Sequence, residues 1–170
     1  MRKKRVLWLE DAAHSKFRDL AVPLYMQGTY ELIVAEDVST AASLVETTEF
    51  DALIVDIRVP PGTDPEWIEA YQKRGQDIAG ARLGVEFLRS VMRHPKALVH
   101  LEQPPVWLRP TSVAVFSVER RERLVDELEG LEIGHFLQKT AYISKSALLD
   151  TVEAVMRSDG PSTDGGREEG

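Results

Sequence analysis

The run Asp51-Ala52-Leu53-Ile54-Val55-Asp56 constrains the fold of this chain more than any other segment. Its unbroken apolar stretch, without polar alternation, suits a strand buried on both faces, the situation of a central strand in a parallel sheet. Pro60-Pro61-Gly62 then ends it firmly, because proline removes a donor and glycine favours a turn. A strand covered on both faces requires helices on both sides of a sheet, and the remaining chain supplies that alternation. Strands are expected at 5–9, 30–35, 51–56, 112–118 and 134–138, and helices at 13–27, from Ser39 through Ala41, Ala42, Leu44 and Val45, and at 84–93, 120–129 and 144–156. Ser39 is the expected N-cap of the second helix. Strands alternating with helices predict an α/β fold, a doubly wound five-stranded parallel sheet joined by right-handed crossovers.

Composition narrows the function classes. The 170 residues, 43% of them apolar, are enough for one domain with a sizeable core. A formal charge of -7 argues against nucleic acid as a partner, since phosphate-backbone affinity comes from clustered Lys and Arg. The short basic stretch Arg2-Lys3-Lys4-Arg5 reads as a solvated start. No cysteine is present, which removes disulfides and thiolate metal sites and makes the cytoplasm the expected compartment. No apolar run approaches the roughly 20 residues that span a bilayer, so no membrane partner is expected. His14, His94, His100 and His135 lack metal-ligand spacing, and no Gly-rich phosphate loop or dinucleotide fingerprint occurs.

In a doubly wound sheet, ligands bind beyond the carboxyl ends of the strands. Polar groups fall at four such ends: Glu10 with Asp11, then Asp56, Ser117 and Lys139. Three carboxylates converging on one face repel each other unless a cation lies between them, and an all-oxygen set suits Mg2+. Lys139 adds a positive charge and Ser117 a hydroxyl, together able to hold phosphoryl oxygens on a nucleophilic carboxylate. Each element alone also reads as a cap or a solvated charge. Their joint occurrence, in order at the ends of strands one, three, four and five, favours a site.

These residues resemble the receiver domains of two-component response regulators, over about residues 5–157. Leu7-Trp8-Leu9-Glu10-Asp11 is similar to that family's first strand and acidic pair, and Ala35-Glu36-Asp37 to its second strand end. Ile54-Val55-Asp56 is similar to the phosphoacceptor strand, followed by Pro60 and Gly84. Val115-Phe116-Ser117 resembles the switch-hydroxyl strand and Phe136-Leu137-Gln138-Lys139 the strand with the switch aromatic and the lysine. The resemblance implies a flavodoxin-like receiver fold in which Asp56 takes a phosphoryl group from a histidine kinase or phosphotransfer protein. It implies Mg2+ held by Glu10, Asp11, Asp56 and the main-chain carbonyl of Arg58, with Ser117 and Lys139 binding the phosphoryl oxygens. Ser117 and Phe136 would form the switch that alters a surface for an unknown downstream protein, and a homodimer is compatible with it. Arg58, Val118 and Glu119 are expected at the mouth through which water reaches the phosphoryl group, with Arg58 and Glu119 able to pair.

The sequence departs from the family in three places. Thr140 follows Lys139 where the family has Pro, Val118 is bulkier than the usual residue after the hydroxyl, and extra residues lie between Asp56 and Ser117. The expected division is a receiver domain at 1–157, with insertions at 61–83 and about 95–111, and a disordered tail at 158–170. Within the first insertion, Asp64 as cap, Pro65 at the first position, Lys73 and Arg74 in the last turn and Gly75 beyond predict a helix over 65–74. Its Trp67, Ile68, Ala70 and Tyr71 are expected to pack on the domain. The second insertion, with Pro95, Pro104, Pro105 and Pro110, is expected as extended loop at the opposite end of the sheet from the site. Two alternatives stay open: a degenerate receiver used only as an interaction module, and a haloacid-dehalogenase-like phosphatase. The phosphatase needs an acid/base Asp where Arg58 stands. Metabolic enzyme activity is not expected.

Overall fold

The computed structural model describes residues 1–158. Five strands, β1 (Lys4–Leu9), β2 (Tyr30–Ala35), β3 (Ala52–Val55), β4 (Val113–Ser117) and β5 (His135–Gln138), pair in parallel in the order β2-β1-β3-β4-β5. This is the flavodoxin-like order, with the strand sequence reversing between β1 and β3. The period of two along the strands sorts their side chains onto the faces. Leu7, Leu9, Leu53, Val55, Val113 and Val115 enter one apolar layer, and Val6, Trp8, Ala52, Ile54, Ala114 and Phe116 the other. Helices α1 (Arg18–Gln27) and α7 (Ala147–Ser158) cover the second layer. Helices α2 (Val38–Thr47), α3 (Pro65–Arg74) and α5 (Leu83–Val91) cover the first. Each fully buried Leu, Ile or Phe contributes about 1.5–3 kcal/mol, so the central strands anchor both layers.

Helix α3 forms over the residues expected. The Asp64 carboxylate accepts from the Glu66 N–H at 2.9 Å, Pro65 occupies the first turn, and Gly75 follows the last residue. Trp67 and Ala70 are buried in the first apolar layer, with Tyr71 packed against it. Gly75 is required by a close approach: a Cβ there would lie 2.7 Å from the Ala81 nitrogen. The short helix α4 (Ile78–Ala81), capped by Asp77, leads directly into α5. Between α5 and β4 the chain runs as turns and loop to a 3-10 turn at Pro110–Ser112. Fully buried Glu86 on α5 pins it, accepting from the N–H groups of Leu98 at 2.5 Å and Val99 at 3.1 Å. Trp107 reaches Phe50, just before β3, with ring centroids 6.0 Å apart, which puts this part of the loop at the end of the sheet away from the strand tips carrying Asp56 and Lys139.

Several elements differ from expectation. Helix α1 begins at Arg18, not at residue 13, because residues 11–17 form turns closed by bonds such as Phe17 N–H to the Ala12 carbonyl at 3.0 Å. Asp37, not Ser39, caps α2: its carboxylate accepts from the Thr40 N–H at 2.7 Å. Ser39 lies inside the helix, where its N–H and hydroxyl both donate to the Pro61 carbonyl, at 3.0 and 2.5 Å. Asp51 precedes β3 and accepts the Arg5 N–H at 2.8 Å, tying the starts of two strands together. The helix expected over 120–129 contracts to α6 (Arg121–Leu124). Beyond it the Glu127 carbonyl accepts from Arg89 at 2.9 Å instead of from a helical N–H. Ser158 is the last residue of α7, and the rest of the expected tail lies outside the described residues.

Candidate functional site

The site assembles at the β1/β3 switch point. Glu10 leaves β1 with its N–H donating to the Ala35 carbonyl at 2.9 Å, and Asp56 leaves β3 with its N–H donating to Leu9 at 3.0 Å. These bonds extend the ladder past the strand ends, so both carboxyl groups are aimed by the sheet. On the far side, the Lys139 N–H donates to the Ser117 carbonyl at 2.7 Å. Below them α5 starts against β3: the Gly84 N–H donates to the Ile57 carbonyl at 3.0 Å, and a Cβ at Gly84 would lie 2.1 Å from the Asp56 carbonyl oxygen. Only glycine permits that approach.

Lys139 is the electrostatic centre. Its side chain is 2% exposed, and its ammonium contacts Asp56 Oδ2 at 3.1 Å and Glu10 Oε2 in a closer ion pair. The ammonium also lies 4.5 Å from the centroid of the Phe17 ring and 5.3 Å from that of Phe116, an arrangement favourable for a desolvated cation. Glu10, Asp11 and Asp56 each bring one carboxylate oxygen within 4.8 Å of the others, Glu10 and Asp56 buried and Asp11 exposed. Burial first, and then the Asp56 charge, push the Glu10 carboxyl up to about 8, against the pull of Lys139. Clustered carboxyl groups with no nitrogen or sulfur donor fit a hard divalent cation, and exposed Asp11 leaves the cluster open on one side.

The other expected residues differ in exposure and partners. Ser117 is fully buried, its Oγ accepting from the Glu119 N–H at 3.3 Å. Val118 is exposed. Arg58 turns its N–H to Asp56 Oδ1 at 3.4 Å, while its guanidinium Nε donates to Glu119 Oε1 at 2.9 Å. Burial opposes ionisation of Glu119, but the guanidinium groups of Arg58 and Arg82 outweigh it and hold the carboxyl below its ordinary range. Phe136 is half-buried on β5, bordering a groove of about 220 Å³ with Val125, Leu128 and Ile133. Sequence reasoning missed Phe17, Arg82 and Glu127. Arg82 donates to both Glu119 and Glu127, at 3.3 and 3.0 Å. Phe17 lies where a helix was expected, and the ionic partners are far apart in the chain.

The fold is shared with solved receiver domains. The chain superposes on the chemotaxis protein CheY4 of Vibrio cholerae with a TM-score of 0.59 at 19% identity, over 91% of this chain and 99% of that one. A CheY-like response regulator receiver domain protein from Methanospirillum hungatei gives 0.58 at 16% identity, over 92% and 97%. A response regulator protein from Burkholderia pseudomallei, determined with a phosphorylated aspartic acid, calcium ion and citrate, gives 0.55 at 15% identity, over 88% and 66%. No protein-family model and no curated protein sequence matches the chain. Among the described residues no helix is long and apolar enough to cross a membrane.

Proposed function

We propose that the chain is a signalling receiver that accepts a phosphoryl group on Asp56 from a phosphohistidine of a kinase or phosphotransfer protein in the cytoplasm. The observation that carries the reading is Lys139 bridging Asp56 and Glu10 beside Asp11, at the switch point of a receiver fold. An Asp56 carboxylate oxygen attacks phosphorus, the new O–P bond forms as the P–N bond breaks, and the departing electron pair stays on the imidazole nitrogen. Glu10, Asp11, Asp56 and the Arg58 carbonyl would hold Mg2+, which would supply neutralising charge there. Lys139, whose ammonium lies 3.1 Å from Asp56 Oδ2, is the protein's own cation for the phosphoryl oxygens. Ser117, whose Oγ accepts the Glu119 N–H and so keeps its hydroxyl proton free, donates that proton in a hydrogen bond to the phosphoryl group, and the Phe136 ring follows the hydroxyl's movement, altering the α6–β5 surface. Arg58, Glu119 and Val118 limit the entry of water.

A second reading, an interaction module that is never phosphorylated, is favoured by the full burial of Ser117. Incubation with Mg2+ and a small acyl phosphate separates the two by intact mass. The receiver reading expects one added phosphoryl group, lost in Asp56→Asn, and weaker Mg2+ binding in Glu10→Ala and Asp11→Ala. Absence of any adduct, with Mg2+ binding equal in all variants, supports the second reading.

A further inference from the structure

We propose that Arg82, carried by the first insertion, is a positioning residue for the Asp56 site. It acts as the second counter-ion of Glu119 and so leaves Arg58 able to exchange that carboxylate for phosphoryl oxygens on Asp56. This inference rests on the receiver reading. Glu119 is 3% exposed, and its Oε1 receives both Arg58 Nε at 2.9 Å and Arg82 Nε at 3.3 Å. A buried carboxylate that loses its only cation is left uncompensated in a poorly solvated place. One that holds two cations can release either.

The surroundings decide which one leaves. Arg82 is braced: its Nη1 donates to Glu127 Oε1 at 3.0 Å, and Glu127 Oε2 accepts from Arg74 at 2.7 Å. Arg74 in turn donates to the Ala81 carbonyl at 2.6 Å, closing the chain of bonds back onto the residue before Arg82. The Arg82 backbone is left-handed, with φ of 47°, where it ends α4 and begins α5. Side chains rarely adopt that conformation, so the surrounding contacts fix the residue there. Arg58 is 40% exposed, and among the described residues its guanidinium is held by Glu119 alone. It stands two residues beyond Asp56, with its N–H already on the Asp56 carboxylate. Arg58 is therefore the mobile member and Arg82 the fixed one. Without Arg82, Glu119 would retain Arg58 and the phosphoryl group would lose a shielding partner.

The test follows loss of phosphoryl by intact mass after removal of acetyl phosphate, for the wild type, Arg82→Ala, Arg82→Gln, Arg82→Lys, Arg58→Ala and the Arg58→Ala/Arg82→Ala pair. Arg82→Ala and Arg82→Gln should hydrolyse roughly fivefold faster, the size of an exposed charged contact. Arg82→Lys keeps the charge and should return toward the wild-type rate. Arg58→Ala should be as fast as Arg82→Ala, and the pair no faster than Arg58→Ala. Arg82→Gln keeps hydrogen-bonding capacity, so it carries the test if the alanine variant does not fold. Equal rates in wild type and Arg82→Gln overturn the inference, as does an Arg82 effect that persists without Arg58. A wild type that takes no phosphoryl group overturns the receiver reading as well, an outcome distinct from phosphorylation with equal rates.

Discussion

Gly84→Ala tests the packing that sets the floor of the site. The added Cβ would sit 2.1 Å from the Asp56 carbonyl oxygen and 2.6 Å from the Ile57 Cα, and these atoms are backbone, unable to rotate away. To reach ordinary contact the start of α5 must retreat by roughly 1 Å, against an interior packed near crystal density. Leu83, Val85, Phe87 and Leu88 on the same helix are fully buried, so the shift is felt through the whole first layer. Overpacking of this kind costs about 1–3 kcal/mol, and for a domain of this size each kcal/mol lowers Tm by about 2–4 °C. Thermal unfolding followed by circular dichroism should show the fall. Mg2+ affinity should drop too, because part of the strain falls on the Asp56–Ile57 backbone that aims the Asp56 carboxylate. A variant as stable as the wild type, with unchanged metal affinity, would refute the close approach of α5 to β3.

Two further outcomes are expected. Trp67→Ala should cost about 3–5 kcal/mol in urea unfolding, as for other buried aromatic truncations. A loss under 1 kcal/mol would mean that α3 does not pack on the domain. In the metal-free protein, Glu10 has a folded-state pKa of about 8 against the ordinary 4.5. Its contribution to stability is therefore fully present below about pH 4.5 and lost as pH rises toward about 8. Stability of Glu10→Gln should fall less over that window, and Mg2+ affinity of the wild type should climb across it; parallel pH curves for the two proteins would contradict the assignment.

The sheet was legible because each strand carries its signal locally. Leu53 to Val55 cannot alternate faces with solvent, and the polar tips Glu10, Asp56, Ser117 and Lys139 follow their apolar runs directly. Helix α3 was legible for the same reason, since Asp64, Pro65 and Gly75 are neighbours in sequence. What escaped depends on tertiary partners. Glu119 and Glu127 meet Arg82 across separations of 37 and 45 residues, and no spacing rule joins them. Helix α6 is short although residues 125–129 look helical in isolation, because Arg74, Arg82 and Arg89 draw Glu127 into other bonds. Asp37 displaced Ser39 as cap because the Pro60 and Pro61 carbonyls, from a different loop, take the N–H groups of Val38 and Ser39.

Phosphoryl acceptance at Asp56 is read out by locating the modification. After incubation with Mg2+ and acetyl phosphate, borohydride reduction converts an acyl phosphate to an alcohol that survives proteolysis and peptide mass spectrometry. The reduced residue should be found at position 56, and in the wild type but not in Asp56→Asn. Reduction at Glu10 or Asp11 with Asp56 intact, or label that persists in Asp56→Asn, would contradict it.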